Sequence, residues 1–119
     1  MIQTKDFYRS LENPFGGKGL VEIFDWFVDD EFCPNIVTLA DVHIPVGGSI
    51  GDHDHVGEVE VYRVLQGRAE YNDNGVTRTI EKGDTAMCYE GQTHGVKNIG
   101  EDVFIFIAVI IKKHSSIEA

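Results

Sequence analysis

The sequence predicts an all-β protein whose antiparallel strands form a barrel or a sandwich. About eight to ten short segments are rich in β-branched and aromatic residues, and turns with glycine or proline separate them. No segment shows the apolar periodicity of a helix three turns long. The chain has 119 residues, 42% of them hydrophobic, and neither a repeat nor a linker divides it. We therefore expect residues 1–119 to form one domain around one core.

The amino-terminal part predicts an arm followed by two strands. Residues 1–19 are mixed polar and end in a stretch rich in glycine, which disfavours regular structure. The segment Val21–Phe27 has β-branched residues at alternate positions at its start and two aromatic residues at its end, which indicates a half-buried strand. The segment Ile36–Ile44 is rich in β-branched residues and lies between two prolines, so it predicts a second strand.

Strand periodicity continues through the rest of the chain. Within Glu58–Leu65 the residues alternate, so Glu60 and Tyr62 point to the same face, which we expect to be the interior. The carboxy-terminal half predicts two short strands, at Thr85–Tyr89 and His94–Asn98. It also predicts one long, almost wholly apolar strand at Val103–Ile111. The polar tail from Lys112 is expected to fray.

A tight hairpin is predicted between two of these segments. Arg68–Asn72 and Val76–Ile80 both have strand character, and Asp73-Asn74-Gly75 separates them. Asn-Gly favours a type I′ turn because both central residues of that turn need a positive φ angle. We therefore expect the two segments to pair directly.

Charge and composition exclude several classes of function. The formal net charge is -10, which makes binding to nucleic acid or to an anionic membrane surface unfavourable. No apolar run reaches the roughly 20 residues of a membrane span, and the start lacks the layout of a secretory signal. We expect a cytoplasmic protein, in which Cys33 and Cys88 are free, buried thiols.

Four residues of the types that bind divalent metals lie at suggestive spacing. His53 and His55 are two apart and would project to one face of a strand. Glu60 has the parity to meet them, and His94 would come from a third strand. Three imidazoles and one carboxylate leave two positions of an octahedral shell open, which favours Mn or Fe and is compatible with Co, Ni, Zn or Cu. By itself, a His-x-His pair is more often a surface or hydrogen-bonded pair.

The glycines around these residues resemble the two motifs of the cupin family. The first motif matches Gly47-x5-His53-x-His55-x4-Glu60-x6-Gly67 at every fixed position. The segment Gly83-x7-Gly91-x2-His94-x3-Asn98 resembles the second. Tyr89 departs from the family, which usually has proline there, so we expect a looser turn before Gly91. The resemblance covers roughly residues 47–98, the expected core of the domain.

The resemblance implies a fold, a metal site and a partner. Cupins are antiparallel jelly-roll β-barrels, also called double-stranded β-helices, with a metal ion inside one mouth. The corresponding ligands here would be His53, His55, Glu60 and His94. Small cupins commonly form homodimers, often by exchanging amino-terminal strands, and a partner would cover the aromatic residues Phe24, Trp26 and Phe27. Packing within one subunit would cover them equally well.

Other residues are weaker candidates for a functional site. Tyr62, Tyr71 and Phe106 are expected to line a ligand cavity, although a structural role in the barrel wall explains each of them as well. His43 is more readily explained as structural than as a group near the metal. Cys88 is more readily explained as a small buried apolar residue than as a catalytic thiol. His114, in the polar tail, is not counted among the ligands.

Two classes of function fit this pattern. The first is an enzyme whose metal acts as a Lewis acid on a small oxygen-rich substrate, by dioxygenation, decarboxylation or isomerisation. Because no cluster of lysine or arginine would bind a phosphate, carboxylate or dioxygen chemistry ranks above isomerisation of a sugar phosphate. The second is a non-catalytic module that binds or senses a small sugar or carboxylate. Turnover by the metal-loaded protein would distinguish them, since the fold and the metal alone do not determine the reaction.

Overall fold

The computed structural model describes residues 1–113 and contains two antiparallel sheets. In the six-stranded sheet the order is β1-β2-β3-β10-β5-β8, and in the four-stranded sheet it is β4-β9-β6-β7. The strands are β1 (Phe7–Glu12), β2 (Leu20–Asp25), β3 (Ile36–Ile44), β4 (Ser49–Asp54), β5 (Glu58–Gln66), β6 (Arg68–Asp73), β7 (Val76–Glu81), β8 (Thr85–Cys88), β9 (Thr93–Asn98) and β10 (Phe104–Lys112). The predicted all-β jelly roll is confirmed.

The core lies between the two sheets and follows the alternation of the sequence. On β5 the inward residues Glu60, Tyr62 and Val64 are buried, as predicted. The residues paired with them on neighbouring strands are also buried, as with Ala108 opposite Tyr62 and Phe106 opposite Val64. Each strand thus contributes one face to a shared interior because successive side chains point to opposite sides.

The predicted hairpin is present, with Asn74 and Gly75 as its two-residue loop. Asp73 pairs with Val76, and the loop residues have φ angles of 50° and 97°. Two positive φ angles define a type I′ turn, whose twist matches that of the paired strands. The Asn72 side chain also accepts a hydrogen bond from the Gly75 amide at 2.7 Å.

The expectation of an irregular arm over residues 1–19 is wrong in part. Residues Phe7–Glu12 form β1, an edge strand that pairs with β2, and a short 3-10 helix follows at Pro14–Gly16. All six residues of β1 are exposed, so neither face shows the apolar alternation by which a strand is usually recognised. The pairing with β2, which no local pattern encodes, makes this segment a strand.

Three other expectations concern the tail, the thiols and membrane spans. The polar tail is expected to fray from Lys112, but Lys112 is still paired as the last residue of β10. His114 lies outside the described residues. Cys33 and Cys88 are free cysteines; Cys88 is buried as expected, but Cys33 is only partly buried. Within residues 1–113, no helix has the length and apolar character needed to cross a bilayer.

Asn98, at the end of β9, connects three segments of the fold. Its side chain is 2% exposed. The Asn98 amide group donates to the carbonyls of Ile44 at 3.0 Å and Asp102 at 2.9 Å, and its oxygen accepts from the Gly100 amide at 2.9 Å. These bonds use the side chain as both donor and acceptor, which only an amide can do in this geometry.

We predict that Asn98→Asp strongly destabilises the fold. The carboxylate would place a buried charge opposite two carbonyl oxygens that lose their donors, at a cost of about 3 kcal/mol or more in the free energy of unfolding. Urea denaturation at neutral pH measures this loss. Asn35→Asp, at an exposed residue, is the matched control and should change stability little. Equal stability of the two variants would contradict the assigned role of Asn98.

Candidate metal centre

Both sheets contribute to the candidate metal centre. His53 lies on β4 and pairs directly with His94 on β9, so their side chains are neighbours in the four-stranded sheet. His55 follows the end of β4, and its backbone bonds to the turn before β9. Glu60 points inward from β5 of the opposite sheet. Residues far apart in sequence therefore meet where the two sheets face each other.

The four side chains converge on a small volume. Nε2 of His55 lies 3.0 Å from Nε2 of His94, and Oε1 of Glu60 lies 2.8 Å and 3.0 Å from these two atoms. One ligand atom from each of the four residues lies within 4.8 Å of every other. Ligand atoms next to each other around an ion with bonds of about 2.1 Å are separated by about 3 Å, which matches these distances. The group could therefore hold a divalent metal ion.

Each imidazole is oriented by a hydrogen bond at its other nitrogen. Nδ1 of His53 lies 2.8 Å from the Gly51 carbonyl, and Nδ1 of His55 lies 2.7 Å from the Glu58 carboxylate. Nδ1 of His94 lies 2.8 Å from the Tyr71 hydroxyl. A carbonyl or carboxylate oxygen can only accept a hydrogen bond, so Nδ1 of His53 and His55 donates and Nε2 is the nitrogen with a lone pair when the ring is neutral. Partners of this kind orient histidine ligands in metal sites.

The chemistry of this donor set favours a cation. When Nδ1 carries the proton of the His55 and His94 rings, the lone pairs of their Nε2 atoms face each other and the Glu60 carboxylate at about 3 Å. His55, Glu60 and His94 are each at most 6% exposed, so water does little to screen this repulsion. A cation among the four atoms would convert the repulsion into attraction. The residues therefore fit a metal ion.

The pKa shifts of Glu60 and His53 favour the forms that bind metal, whereas that of His55 opposes metal binding. Burial alone would raise the pKa of Glu60. Hydrogen bonds from His55 and His94, which form when Nε2 of those rings carries a proton, outweigh burial and lower that pKa, so the carboxylate is ionised. Burial lowers the pKa of His53 and keeps its ring neutral. The pKa of His55 is raised, chiefly by its hydrogen bond to Glu60, so a proton competes for this nitrogen.

Phe15 covers one side of the cluster. Its ring stacks on the His53 imidazole, with centroids 4.3 Å apart and an angle of 13° between the planes. The Phe15 backbone has a φ angle of 53°, in the left-handed region that a bulky residue rarely adopts. Strained conformations of this kind are often found at functional sites, where the surrounding structure maintains them.

A cavity of about 240 Å³ lies next to the cluster. His53, His55 and Glu60 are part of its wall. The remaining wall is mostly apolar, with a few charged or polar side chains, and consists of Arg9, Leu11, Pro14, Phe15, Val21, Ile23, Thr38, Val42, Ile50, Asp54, Glu58, Tyr62, Phe106, Ala108 and Ile110. A concave, mainly apolar space with a few convergent polar groups is typical of a small-molecule site.

Comparison with known proteins agrees with this fold. The model of the family described as the cupin domain matches residues 40–110. The chain belongs to the cupin family. The oxalate-binding protein of Thermotoga maritima is 35% identical over 101 residues, which is 85% of this chain and 84% of that protein.

Solved structures show the same relationship. A crystal structure of a predicted oxalate decarboxylase from Thermotoga maritima superposes with a TM-score of 0.88 and 32% identity, covering 94% of this chain and 99% of that one. KdgF from Halomonas sp. has a TM-score of 0.71 at 14% identity, covering 94% and 96% of the two chains. This second likeness shows the fold alone.

Of the three residues expected to line a ligand cavity, two lie in the wall of the cavity next to the cluster, and their contact with a ligand stays a prediction. Tyr62 and Phe106 are part of its wall, with ring centroids 4.1 Å apart. Tyr71 is not part of that wall, because its hydroxyl lies against Nδ1 of His94, on the side of the ring away from the cluster. The expectation that Tyr71 lines the cavity is therefore corrected. Its position orients a candidate ligand instead.

Neither His43 nor Cys88 contributes to the cavity. His43 lies on the outer face of β3, where its ring contacts Phe24 at a centroid distance of 4.7 Å. Burial raises the pKa of the Cys88 thiol to about 11, so the reactive thiolate is scarce at neutral pH.

The turn before Gly91 is not loose, contrary to the expectation from Tyr89. The Gln92 amide donates a hydrogen bond to the Tyr89 carbonyl at 3.0 Å, which closes the turn.

Sequence reasoning missed three residues of the site. Glu58 has no distinguishing pattern, because an acidic residue at the start of a strand is usually solvated. Its spacing of three residues from His55 is the one sequence feature that links it to the cluster. Phe15 and Arg9 lie in the segment expected to be irregular. No local signal predicts that Arg9 and Phe15 reach the cavity, because β1 and the short helix approach it only through tertiary contacts.

We predict that Tyr71→Phe weakens metal binding without unfolding the protein. The variant keeps the ring but removes the oxygen that orients His94, and loss of such a partner typically costs roughly tenfold in metal affinity. Competition with a chromogenic chelator measures the affinity. Tyr8→Phe removes a hydroxyl that lies 2.9 Å from Glu22 on the surface, and it should bind metal normally. Wild-type affinity in Tyr71→Phe would contradict the positioning role.

Proposed function

We propose that this cupin binds one divalent metal ion through His53, His55, Glu60 and His94 and acts on a small carboxylate. The observation that carries the proposal is the convergence of three imidazole nitrogens and one buried carboxylate oxygen, with a hydrogen-bond partner at Nδ1 of each ring. Such a set is costly to bury without a cation. When bound, the metal would supply a Lewis acid with open positions for oxygen ligands.

The residues of the cavity support a small, oxygen-rich ligand. A volume of about 240 Å³ suits a molecule of a few non-hydrogen atoms. Val42, Phe106 and Ala108 exclude water from the inner wall, which strengthens electrostatic interactions at the ligand. Glu58 keeps the His55 ring in the orientation that presents Nε2 to the cluster.

The relatives support a carboxylate as the ligand. An oxalate-binding protein and a predicted oxalate decarboxylase are each more than 30% identical to this chain over most of its length. Decarboxylation and dioxygenation are the reactions that we propose to test, with Mn or Fe as the expected metal. The second candidate, non-catalytic binding of a small carboxylate, is favoured by the similarity to an oxalate-binding protein.

We predict that protein purified without added metal or chelator contains about one metal ion per chain, and that His94→Ala loses it. Removing one of the four ligands leaves an incomplete coordination shell, which lowers the affinity for the metal strongly. Elemental analysis by mass spectrometry measures the metal content. His43→Ala, at a histidine on the outer face of the barrel, is the matched control and should keep the metal.

Activity assays on the loaded protein then separate the two functions. Oxalate and other small carboxylates are tested for release of carbon dioxide and uptake of dioxygen. Turnover that disappears in His94→Ala supports the enzyme, whereas tight binding without turnover supports the binding module. Wild-type protein that lacks metal and cannot be loaded would contradict both.

We propose further that a second copy of the chain covers the outer face of the six-stranded sheet. Strand β10 is apolar on both faces, although an antiparallel sheet with one solvated face normally alternates. A row of apolar side chains crosses four neighbouring strands on this outer face: Leu39, Val109, Val61 and Met87. Met87 is 55% exposed. A continuous apolar surface of this kind is typical of an interface.

A symmetric dimer would bury this row against itself. The same patch on both subunits meets across a two-fold axis, so its apolar centre needs no other partner. Phe24 lies on the same face and already contacts Tyr8 and His43, so intrasubunit packing partly covers it. Trp26 donates a hydrogen bond to Asp41 at 2.9 Å and remains 37% exposed. The apolar row, rather than these aromatic residues, is the proposed centre of the interface.

We predict that Met87→Lys shifts the protein from dimer to monomer. The substitution places a charge in the middle of the apolar interface, where it loses its hydration. Sedimentation velocity over a range of concentrations measures the dissociation constant, which should rise by about tenfold or more. Val76→Lys is the matched control, because Val76 is also 55% exposed but lies on the other sheet. A wild-type monomer, or equal dissociation of both variants, would contradict this interface.

A further inference from the structure

The cavity beside the metal-binding cluster contains one cationic side chain. Arg9 is the only lysine or arginine in its wall among the described residues 1–113. We infer that Arg9 binds a second carboxylate of the ligand, the one that the metal does not hold, so the ligand is a dicarboxylate. This inference rests on the proposed function and adds the residue that selects the charge of the substrate.

The strand register places Arg9 on the inner face of β1. Arg9 pairs with Ile23 and Leu11 pairs with Val21, and both partners on β2 are buried in the barrel. Directly paired residues point to the same side of a sheet, so Arg9 and Leu11 lie on the face of β1 that continues the inner face of β2, at its exposed edge. Both belong to the cavity wall. The Arg9 side chain therefore borders the cavity and is also open to solvent.

The charges around the cavity make a cation necessary for an anionic ligand. Asp54, Glu58 and Glu60 are all part of the wall, and the chain as a whole has a formal charge of -10. A bound metal ion offsets part of this negative charge, but a ligand with two carboxylates brings two more negative charges. Arg9 is the side chain in the wall that can neutralise the second of them.

The hydrogen bonds of Arg9 leave donors for a ligand. Its Nε donates to Asp25 at 2.6 Å, and its Nη2 donates to the other oxygen of the same carboxylate at 3.3 Å. Among residues 1–113, Nη1 makes no hydrogen bond, and the Arg9 side chain is 44% exposed. A guanidinium has five N–H donors, so it can bind Asp25 on one edge and a carboxylate on another.

A purely structural role for Arg9 makes a different prediction. Charged residues that point inward on an edge strand prevent it from pairing with other chains, and the bond to Asp25 would stabilise β1. In that case the pair acts as a unit, and loss of either partner has the same effect. If Arg9 binds the ligand on its free edge, the Asp25 carboxylate offsets part of the guanidinium charge that attracts the ligand, so removal of the two charges has opposite effects on affinity.

The test compares Arg9→Gln, Asp25→Asn and Arg78→Gln in metal-loaded protein whose metal content has been confirmed. Arg78 also pairs with an aspartate, Asp73 at 3.0 Å, but lies outside the cavity wall, so it is the matched control. Calorimetry measures the affinity for oxalate, malonate and succinate, and for the monoamide of each acid. The monoamides keep one carboxylate for the metal and have a neutral group in place of the second.

We expect Arg9→Gln to weaken binding of the preferred dicarboxylate by about tenfold or more and to change binding of its monoamide little. Asp25→Asn should strengthen dicarboxylate binding, and Arg78→Gln should leave it unchanged. Metal content should be equal in all four proteins.

Three outcomes would overturn the inference. Wild-type affinity in Arg9→Gln would show that the guanidinium does not contact the ligand. Equal weakening by Arg9→Gln and Asp25→Asn, for dicarboxylate and monoamide alike, would assign the pair a structural role. Failure of metal-loaded wild-type protein to bind any of the six acids would overturn the proposed function as well, so this outcome is distinct from the first two.

Discussion

The fixed orientation of three imidazole rings is the constraint on which the rest of the site depends. Each ring is held at Nδ1 by a different kind of partner: the Gly51 carbonyl, the Glu58 carboxylate and the Tyr71 hydroxyl. These partners leave the Nε2 atoms directed at one another and at Glu60. The arrangement is unfavourable without a cation and favourable with one, so structure and metal affinity are coupled.

The jelly-roll topology supplies this constraint by joining two sheets at the cluster. Strands β4 and β9 present His53 and His94 from one sheet, and β5 presents Glu60 from the other. The close approach of the short helix to β4 depends on Gly51, because a Cβ atom there would collide with the Phe15 carbonyl. That approach brings Phe15 onto the His53 ring and closes one side of the cavity.

The two faces of the six-stranded sheet serve different purposes in this interpretation. The inner face provides the apolar wall that excludes water from the ligand, with Arg9 at its β1 edge. The outer face carries the apolar row that a second copy would cover. Strand β10 belongs to both surfaces, which explains its almost unbroken apolar sequence. A charge on its outer side should therefore affect assembly, whereas changes on its inner side should affect the cavity.

The sequence by itself determined the elements whose signals are local. Alternation identified the inward face of β5, and Asn74-Gly75 identified the hairpin, because side-chain direction and φ preference are properties of a few adjacent residues. The spacing of glycines and histidines identified the four candidate ligands, since turns at fixed distances bring strands together.

Only the tertiary structure decided what depends on contacts between distant segments. It made a strand of residues 7–12, where both faces are exposed and no alternation exists. It placed Tyr71 behind His94 rather than in the cavity, and it brought Arg9 and Phe15 to the cavity wall. A hydrogen bond to Nδ1 or a pairing across strands depends on which segments become neighbours, and that is fixed by the packing of the whole barrel rather than by any local run of residues.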